Sequence, residues 1–438
     1  MQTAATRRSR ERAALIAIVV VAFVVRVAYV RMAVVDDPLR GDAWQYFCYA
    51  WNLLKHGTFS LAGPSATIVP PDSFRDPGYP AFFALLMALR GTGREVYDAL
   101  LLAQCVLGAA TVGLCMALAR RWMGFAAACA VGILMACWPH LVGFAGYVLS
   151  ETLLGFLLAL AIWLLDTAAR HSSRPLGAAA GVAFAAAALT NAIILPIVPL
   201  LAIVAAWKCR SQRALWLVVL VAFALPCAAW IARNATLPPA SSASGRAAIN
   251  VVQGAWPEYH AAAFRAIQLG DPQAKETMIA IDAETRTMLA DPAAGMKRIA
   301  DRFALRPLHY AAWYARKPAL LWAWDVGVGQ GDIYVFPTFH SLFEDNAAFH
   351  AWAGVCFVLN PMLALLALAG CVAAICSSSP PAARWTAALL MMATLLFSLL
   401  QAEPRYAVPY RGPEVLMAVF GALSLHRWWV MRARPASV

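Results

Sequence analysis

Apolar residues fall in long blocks along this chain, and polar residues gather between them. A bilayer core about 30 Å thick is crossed by about 20 apolar residues, because each helical residue rises about 1.5 Å. Several blocks meet that length. The pattern predicts spans near 13–33, 96–119, 124–139 and 149–166, two short ones within 176–207, then 214–231, 351–376, 385–400 and 412–425. Two other apolar stretches, 79–89 and 319–324, are too short and read as interfacial or re-entrant helices. Neither sheet-like alternation of useful length nor an internal repeat is visible.

Composition supports this reading. Hydrophobic residues make up 62% of the 438 and charged residues 13%, whereas soluble domains carry roughly 25% charged residues. The net charge of +12 comes from Arg and Lys at the ends of apolar blocks. That placement is topology signal and argues against a nucleic-acid partner. Cytoplasmic loops are enriched in Lys and Arg. Placing Arg7, Arg8, Arg10 and Arg12 inside also puts Arg120 and Arg121, Arg170 and Arg174, Lys208, Arg210 and Arg213, and Arg427, Arg432 and Arg434 inside. Ten spans then leave both termini in the cytoplasm. The first apolar stretch lacks a clean small-residue cleavage site and is read as a retained anchor.

Three parts follow. Residues 1–233 form an N-terminal membrane module with an outside loop at 34–95. Residues 234–350 form an outside helical region, and residues 351–438 the C-terminal spans. Asp271-Pro272 and Asp291-Pro292 each read as an N-cap followed by Pro at the first helical position, and a third helix starts near Pro307. Of the ten Cys, only Cys48 falls in an aqueous or interfacial stretch. No CxxC pair and no Cys/His ligand spacing appears, so neither a disulfide framework nor a zinc site is expected. Asp325 to Asp332 contains Gly327, Gly329 and Gly331. Without a preceding strand this GxGxG string reads as a flexible outside turn, not a nucleotide loop.

The first outside loop carries the candidate chemistry. From Asp42 a helix is expected, with Trp44, Phe47, Cys48, Trp51 and Leu54 on one face and Gln45, Tyr49, Asn52 and His56 on another; Gly57 stops it. This amphipathic helix is expected in the membrane plane. Two uses of Asp42 compete. It caps the helix in a capping box with Gln45, or it is a catalytic carboxylate at the membrane surface, and a capping carboxylate is a weaker base. Arg75 likewise either snorkels at the interface or binds phosphate with its planar fork. Glu151 opens a span, where it serves the helix dipole or a functional partner. Arg26, inside the first span, is expected to snorkel outward or pair with a loop carboxylate. Asn191 beside Thr190 is expected to join two short spans by a hydrogen bond. His140, His309 and His340 have no ligand spacing.

Taken together, these residues resemble a known family. Asp42, Tyr46, Tyr49-Ala50, Asn52-Leu53-Leu54, His56-Gly57 and Phe59 are followed by Arg75-Asp76-Pro77-Gly78-Tyr79-Pro80. This order is similar to the first outside loop of bacterial lipid-dependent glycosyltransferases, the protein O-mannosyltransferase and lipid A aminoarabinose transferase superfamily (glycosyltransferase family 39-like). Ser150-Glu151-Thr152 and Glu403-Pro404-Arg405-Tyr406, with Pro409, resemble further family elements. The chain departs from both subgroups. Ala43 follows Asp42 where the mannosyltransferases have Asp-Glu, and Arg75-Asp76-Pro77 replaces the Lys-Pro-Pro run of the aminoarabinose subgroup.

The resemblance implies an all-α polytopic membrane protein with the type C glycosyltransferase fold, about 10–12 transmembrane helices and a small outside helical module. It implies transfer of a sugar from a polyprenyl-phosphate donor to a glycan, lipid or protein acceptor on the outer face of the cytoplasmic membrane. Asp42 would be the general base. Arg75, Arg405 and Arg233 would meet the donor phosphate, with Asp76, Tyr79, Glu151, Glu403 and Tyr406 as further site candidates. A single catalytic carboxylate implies inversion. A lipid-linked sugar donor is the one cofactor-like molecule implied; a divalent metal is possible in such enzymes but is not indicated here. The alternative from another class is a multi-span transporter or lipid flippase, which places polar groups near the midplane and shows repeat symmetry.

Overall fold

The computed structural model describes residues 4–208, 210–237, 243–324, 331–333, 336–376 and 379–433. The helices in chain order are α1 (Ala4–Met32), α2 (Asp42–His56), α3 (Gly78–Arg90), α4 (Arg94–Met123), α5 (Phe125–Cys137), α6 (Pro139–Gly143), α7 (Glu151–His171), α8 (Arg174–Thr190), α9 (Ile194–Lys208) and α10 (Arg213–Asn234). They continue with α11 (Ala243–Gly254), α12 (Tyr259–Gln268), α13 (Pro272–Ala290), α14 (Pro292–Leu305), α15 (Pro307–Leu321), α16 (Leu342–Asp345), α17 (Ala347–Cys376), α18 (Pro381–Leu399), α19 (Pro404–Ala407) and α20 (Arg411–Ala433).

Each of the ten expected spans coincides with one of these helices, but they are not equal in length. Among the described residues six helices are long and apolar enough to cross a bilayer, in α1, α4, α7, α10, α17 and α18. A seventh is added if α5 and the segment Pro139–Gly146, bent by 60°, count as one. The helices α8 and α9 are shorter apolar pieces. Side chains such as Val20 and Val24 on α1, Leu217 and Leu225 on α10, and Val358 and Leu365 on α17 stand exposed. Such a broad apolar surface suits lipid and not water.

Basic residues at the end of α4 meet acidic partners on α1 and α7. Arg120 of α4 donates to Glu11 of α1 at 2.8 Å, and Arg121 donates to Asp166 of α7 at 2.9 Å. The tightest helix crossing joins α17 and α20. A Cβ on Gly370 would strike the carbonyl of Met417, and one on Gly421 that of Leu366. Only glycines allow this backbone approach, which is how helices associate where no hydrophobic drive separates them from lipid.

Two expectations within the bundle are corrected. Arg26 neither snorkels nor meets a carboxylate. It is buried at 1% exposure and donates to the carbonyls of Ala22 (2.8 Å), Met135 (3.2 Å) and Ala136 (3.3 Å). Met135 and Ala136 end α5, where Pro139 prevents the helix from continuing and leaves carbonyls unpaired. A guanidinium at that negative helix end satisfies them locally. Asn191 does not bridge two helices either. It ends α8, and its Oδ1 accepts from the Ile193 amide at 3.2 Å, while Thr190 bonds back to Ala186 at 2.8 Å.

The helices α11 to α15 have a core of their own around Val252, Ile281, Met288 and Ile299. Asp271 caps α13 through the amides of Gln273 and Ala274, and Asp291 caps α14 through those of Ala293 and Ala294, as the two Asp-Pro pairs predict. The stretch 79–89 lies within α3, whose 13 residues span about 20 Å and cannot cross a bilayer. A small antiparallel sheet also forms. Strand β1 (Val34–Val35) pairs with β3 (Phe336–Phe339), which pairs with β2 (Gly331–Ile333). Strands of two to four residues are too short to leave an alternating pattern. Most of the GxGxG stretch lies outside the described residues.

Candidate active site

The site is built on the start of α2. Gly41 precedes it with φ +58°, a left-handed conformation that favours glycine. The turn delivers Asp42 as the first helical residue, and no side chain caps the helix. The capping-box reading of Asp42 is therefore overturned. Its Oδ1 accepts from Nη2 of Arg75, and its Oδ2 accepts from Nη2 of Arg405 at 2.9 Å. Gln45 is not a capping partner either: its Oε1 accepts from Nε of Arg75 at 2.6 Å. Asp42 and Gln45 are three residues apart and so share a helix face, which holds both edges of the Arg75 fork.

The buried residues of α2 come from both expected faces, Cys48 from one and Tyr49 and Asn52 from the other, and His56 is exposed. Tyr46, Tyr49 and Asn52 are buried, while Trp44 is exposed and Trp51 partly so. In a membrane protein the outward side of a helix faces apolar solvent, and polar groups turn inward to find partners. Asn52 donates to the carbonyls of Ser60 (2.9 Å) and Ala62 (2.6 Å), and Tyr49 donates to Asp72. Asp72 also accepts from the amides of Leu61 (2.7 Å) and Phe74 (3.2 Å), so it organises the loop that presents Arg75. Gly57 ends α2 in the left-handed conformation, φ +63°.

Arg405 arrives from the opposite end of the chain. Pro404 starts the one-turn helix α19, which aims Arg405 into the site. Its Nε donates to Oε1 of Glu151 at 2.5 Å, so one guanidinium bridges Asp42 and Glu151. Glu151 is the first residue of α7 and is buried at 5% exposure. Two carboxylates and two guanidiniums balance in charge, the condition under which such groups tolerate burial. Tyr46 lines the cluster, with Arg75 over its ring and its hydroxyl 3.4 Å from Oγ of Ser150. Tyr79 packs edge-on against Tyr46 and donates to Gln104 at 2.8 Å. Gln104 in turn donates to the carbonyls of Ala145 and Tyr147, fixing the turn that leads into α7.

Burial pushes the Asp42 carboxyl upward, but Arg405 and then Arg75 outweigh it and hold it below the ordinary carboxylate range. Burial pulls Arg75 down, and Asp42 more than restores it, so Arg75 stays firmly cationic. Burial raises the Tyr46 hydroxyl.

The remaining candidates stand in other contacts. Asp76 pairs with Arg246 of α11 at 2.6 Å and accepts from the Ala192 amide at 3.2 Å. Arg233 donates to the carbonyls of Asp72 (2.5 Å) and Phe59 (3.3 Å) and to Asn234 (3.0 Å), so it grips the first loop from α10. Glu403 lies 3.0 Å from His260, and Tyr406 donates to Gln401 at 3.3 Å while stacking on Phe397. Among the described residues no three His, Cys, Asp or Glu side chains gather as a metal site. Arg246, Asp72 and Gln104 escaped the sequence reading, because nothing local marks a side chain whose partner is far away in sequence. The Asp-x-x-x-Tyr spacing in α2 could have flagged Tyr46, which lies one turn from Asp42.

No protein-family model and no curated protein matches the chain. Solved structures do. The apo oligosaccharyltransferase of Archaeoglobus fulgidus is similar at 13% identity with TM-score 0.52, over 96% of this chain and 51% of that one. The chain thus spans about half the length of that protein. ArnT from Cupriavidus metallidurans bound to undecaprenyl phosphate is similar at 15% identity and TM-score 0.39, over 93% and 77% of the two chains. Its apo form matches at 15% identity and TM-score 0.37, over 96% and 78%. The likeness to the oligosaccharyltransferase establishes the fold: this is a multi-span helical membrane protein of the type C glycosyltransferase fold.

Proposed function

We propose that this chain is a membrane glycosyltransferase that moves a sugar from a polyprenyl-phosphate donor to an acceptor on the outer face of the cytoplasmic membrane. The observation that carries this reading is the convergence of Asp42, Arg75, Arg405 and Glu151 in one nearly dry cluster. Asp42 accepts the proton of the acceptor as the acceptor attacks the sugar C1. The C1–O bond breaks on the opposite side, and its electron pair leaves with the lipid phosphate. Arg75 and Arg405 neutralise the charge that builds there. Glu151 positions Arg405.

Both Asp42 oxygens accept from guanidiniums. A donor phosphate competes for those same arginines, and drawing them away restores the basicity of Asp42. Donor binding therefore precedes acceptor activation. On this reading the outside loops are periplasmic and both termini cytoplasmic, as the basic helix ends support. The divisions 1–233, 234–350 and 351–438 then separate the base, the outside module and Arg405. Arg233, Asp76, Glu403 and Tyr406 belong to the walls of the site.

The test is sugar transfer in membranes that express the chain. Asp42→Asn is expected to abolish covalent transfer while expression and folding stay normal. Retained transfer overturns the role of Asp42. Movement of lipid-linked sugar across the bilayer without bond transfer overturns the reading as an enzyme in favour of a flippase.

A further inference from the structure

A second cavity in the fold lies away from Asp42. It is a groove of about 1020 Å³ between the outer ends of α1 and α4, with the strand β1, Phe47 of α2 and Phe83 of α3 on its walls. That is the upper end of the range for small-molecule sites, about 300–1,000 Å³. None of Asp42, Arg75, Glu151 and Arg405 lines it. Phe47 and Phe83 pack edge to face at 6.1 Å on the wall.

The groove is amphipathic along its length. Arg31 ends α1, Arg90 ends α3 and Arg94 begins α4, and all three line it. Val27 lies about 6 Å back along α1 from Arg31, and Leu102 about 12 Å into α4 from Arg94, at a rise of about 1.5 Å per residue. The charged groups thus sit at the loop end and the apolar groups deeper in. The three arginines are exposed and make no hydrogen bond or ion pair among the described residues. No side chain caps α4, whose first residues Arg94 and Glu95 line the groove. Leu85 and Leu89 of α3 and Leu102 of α4 are exposed beside it.

We propose that this groove binds an anionic membrane phospholipid, its phosphodiester against Arg31, Arg90 and Arg94 and one chain along Val27, Leu101 and Leu102. Charge complementarity selects this occupant. Glu95 and Asp98 also line the groove, leaving a net single positive charge that matches one phosphodiester. The bound lipid fills the space behind α2 and α3 and holds the site walls from the bilayer side. The inference rests on the chain being a membrane protein and not on its transfer chemistry.

The experiment is native mass spectrometry of the full-length chain, purified in mild detergent and offered equal amounts of phosphatidylglycerol and phosphatidylcholine. Phosphatidylglycerol is expected to be retained about ten-fold better, the discrimination worth one strong charged contact. The combined Arg31→Gln, Arg90→Gln, Arg94→Gln variant is expected to lose that preference, and Leu102→Trp to lower retention with all charges intact. Asp42→Asn is expected to leave lipid retention unchanged. Equal retention of the two lipids by the unaltered chain overturns the proposal, as does a preference that survives the triple variant. Displacement of phosphatidylglycerol by polyprenyl phosphate, lost in the triple variant, assigns the groove to the carrier and also overturns it.

Discussion

Asp42 and Arg405 lie 363 positions apart in the chain and meet at 2.9 Å. One opens the first amphipathic helix and the other precedes the last long helix, so the contact closes the membrane core on itself. It also ties up the carboxylate proposed as the base.

Removing Arg405 leaves two buried carboxylates without their shared partner. Arg405→Gln is expected to cost about 3–5 kcal/mol of stability, the usual result of breaking a buried pair on one side. Transfer is expected to fall about 100-fold or more, as when a group that stabilises developing charge is lost. Arg405→Lys is expected to rescue little, because a point charge does not span both Asp42 and Glu151 as a fork does. Thermal unfolding in detergent and transfer rates check both parts.

The Asp42 carboxyl titrates below its ordinary value of 3.8 in the folded chain. A depressed carboxyl contributes stability above its unfolded pKa and loses it as pH falls through the folded one. The contribution of this pair is therefore expected to persist through mild acid and vanish only below pH 3.8. In Arg75→Gln the carboxyl loses one of the two cations that hold it down, so the acid limb of kcat/KM is expected to move to higher pH. An acid limb that stays in place separates Asp42 from the titration.

Glu151 is a second carboxylate on Arg405. If it only positions the guanidinium, Glu151→Gln keeps a hydrogen-bond acceptor and is expected to lower transfer about ten-fold, the value of one charged contact. The product anomer is expected to remain inverted in both proteins, read by NMR at C1. A retained anomer in the unaltered enzyme would assign Glu151 as a nucleophile.

Arg233 spends its donors on the backbone at Phe59 and Asp72 and on Asn234. Arg233→Gln is expected to speed proteolysis within residues 59–76 several-fold, while the donor KM changes less than in Arg75→Gln. The reverse ranking would place Arg233 on the phosphate.

Gly421 touches the backbone of α17 at Leu366 and Gly370. Gly421→Val forces these helices apart and is expected to cost about 1–3 kcal/mol or more, the range for overpacking. Melting of the purified chain measures it.

The sequence by itself determined the class of the protein and where its main helices run. Apolar blocks, basic block ends and the two Asp-Pro starts depend on neighbours within one or two turns, and each of these appears as helix, end or cap. The family-like runs also marked Asp42, Arg75, Glu151 and Arg405 before any contact was known. Tertiary structure decided what those groups do to one another. Asp42 had two local uses, and the arginines from the 75 loop and from α19 removed the capping one. Burial orientation was likewise undecidable from periodicity, because Cys48 and Asn52, expected on different faces of α2, are both buried. Arg26 found the carbonyls of Met135 and Ala136 at the broken end of α5, which no local pattern announces. A hydrogen bond or ion pair is specific only once both groups are brought within about 3 Å, and for these residues only the packed bundle does that.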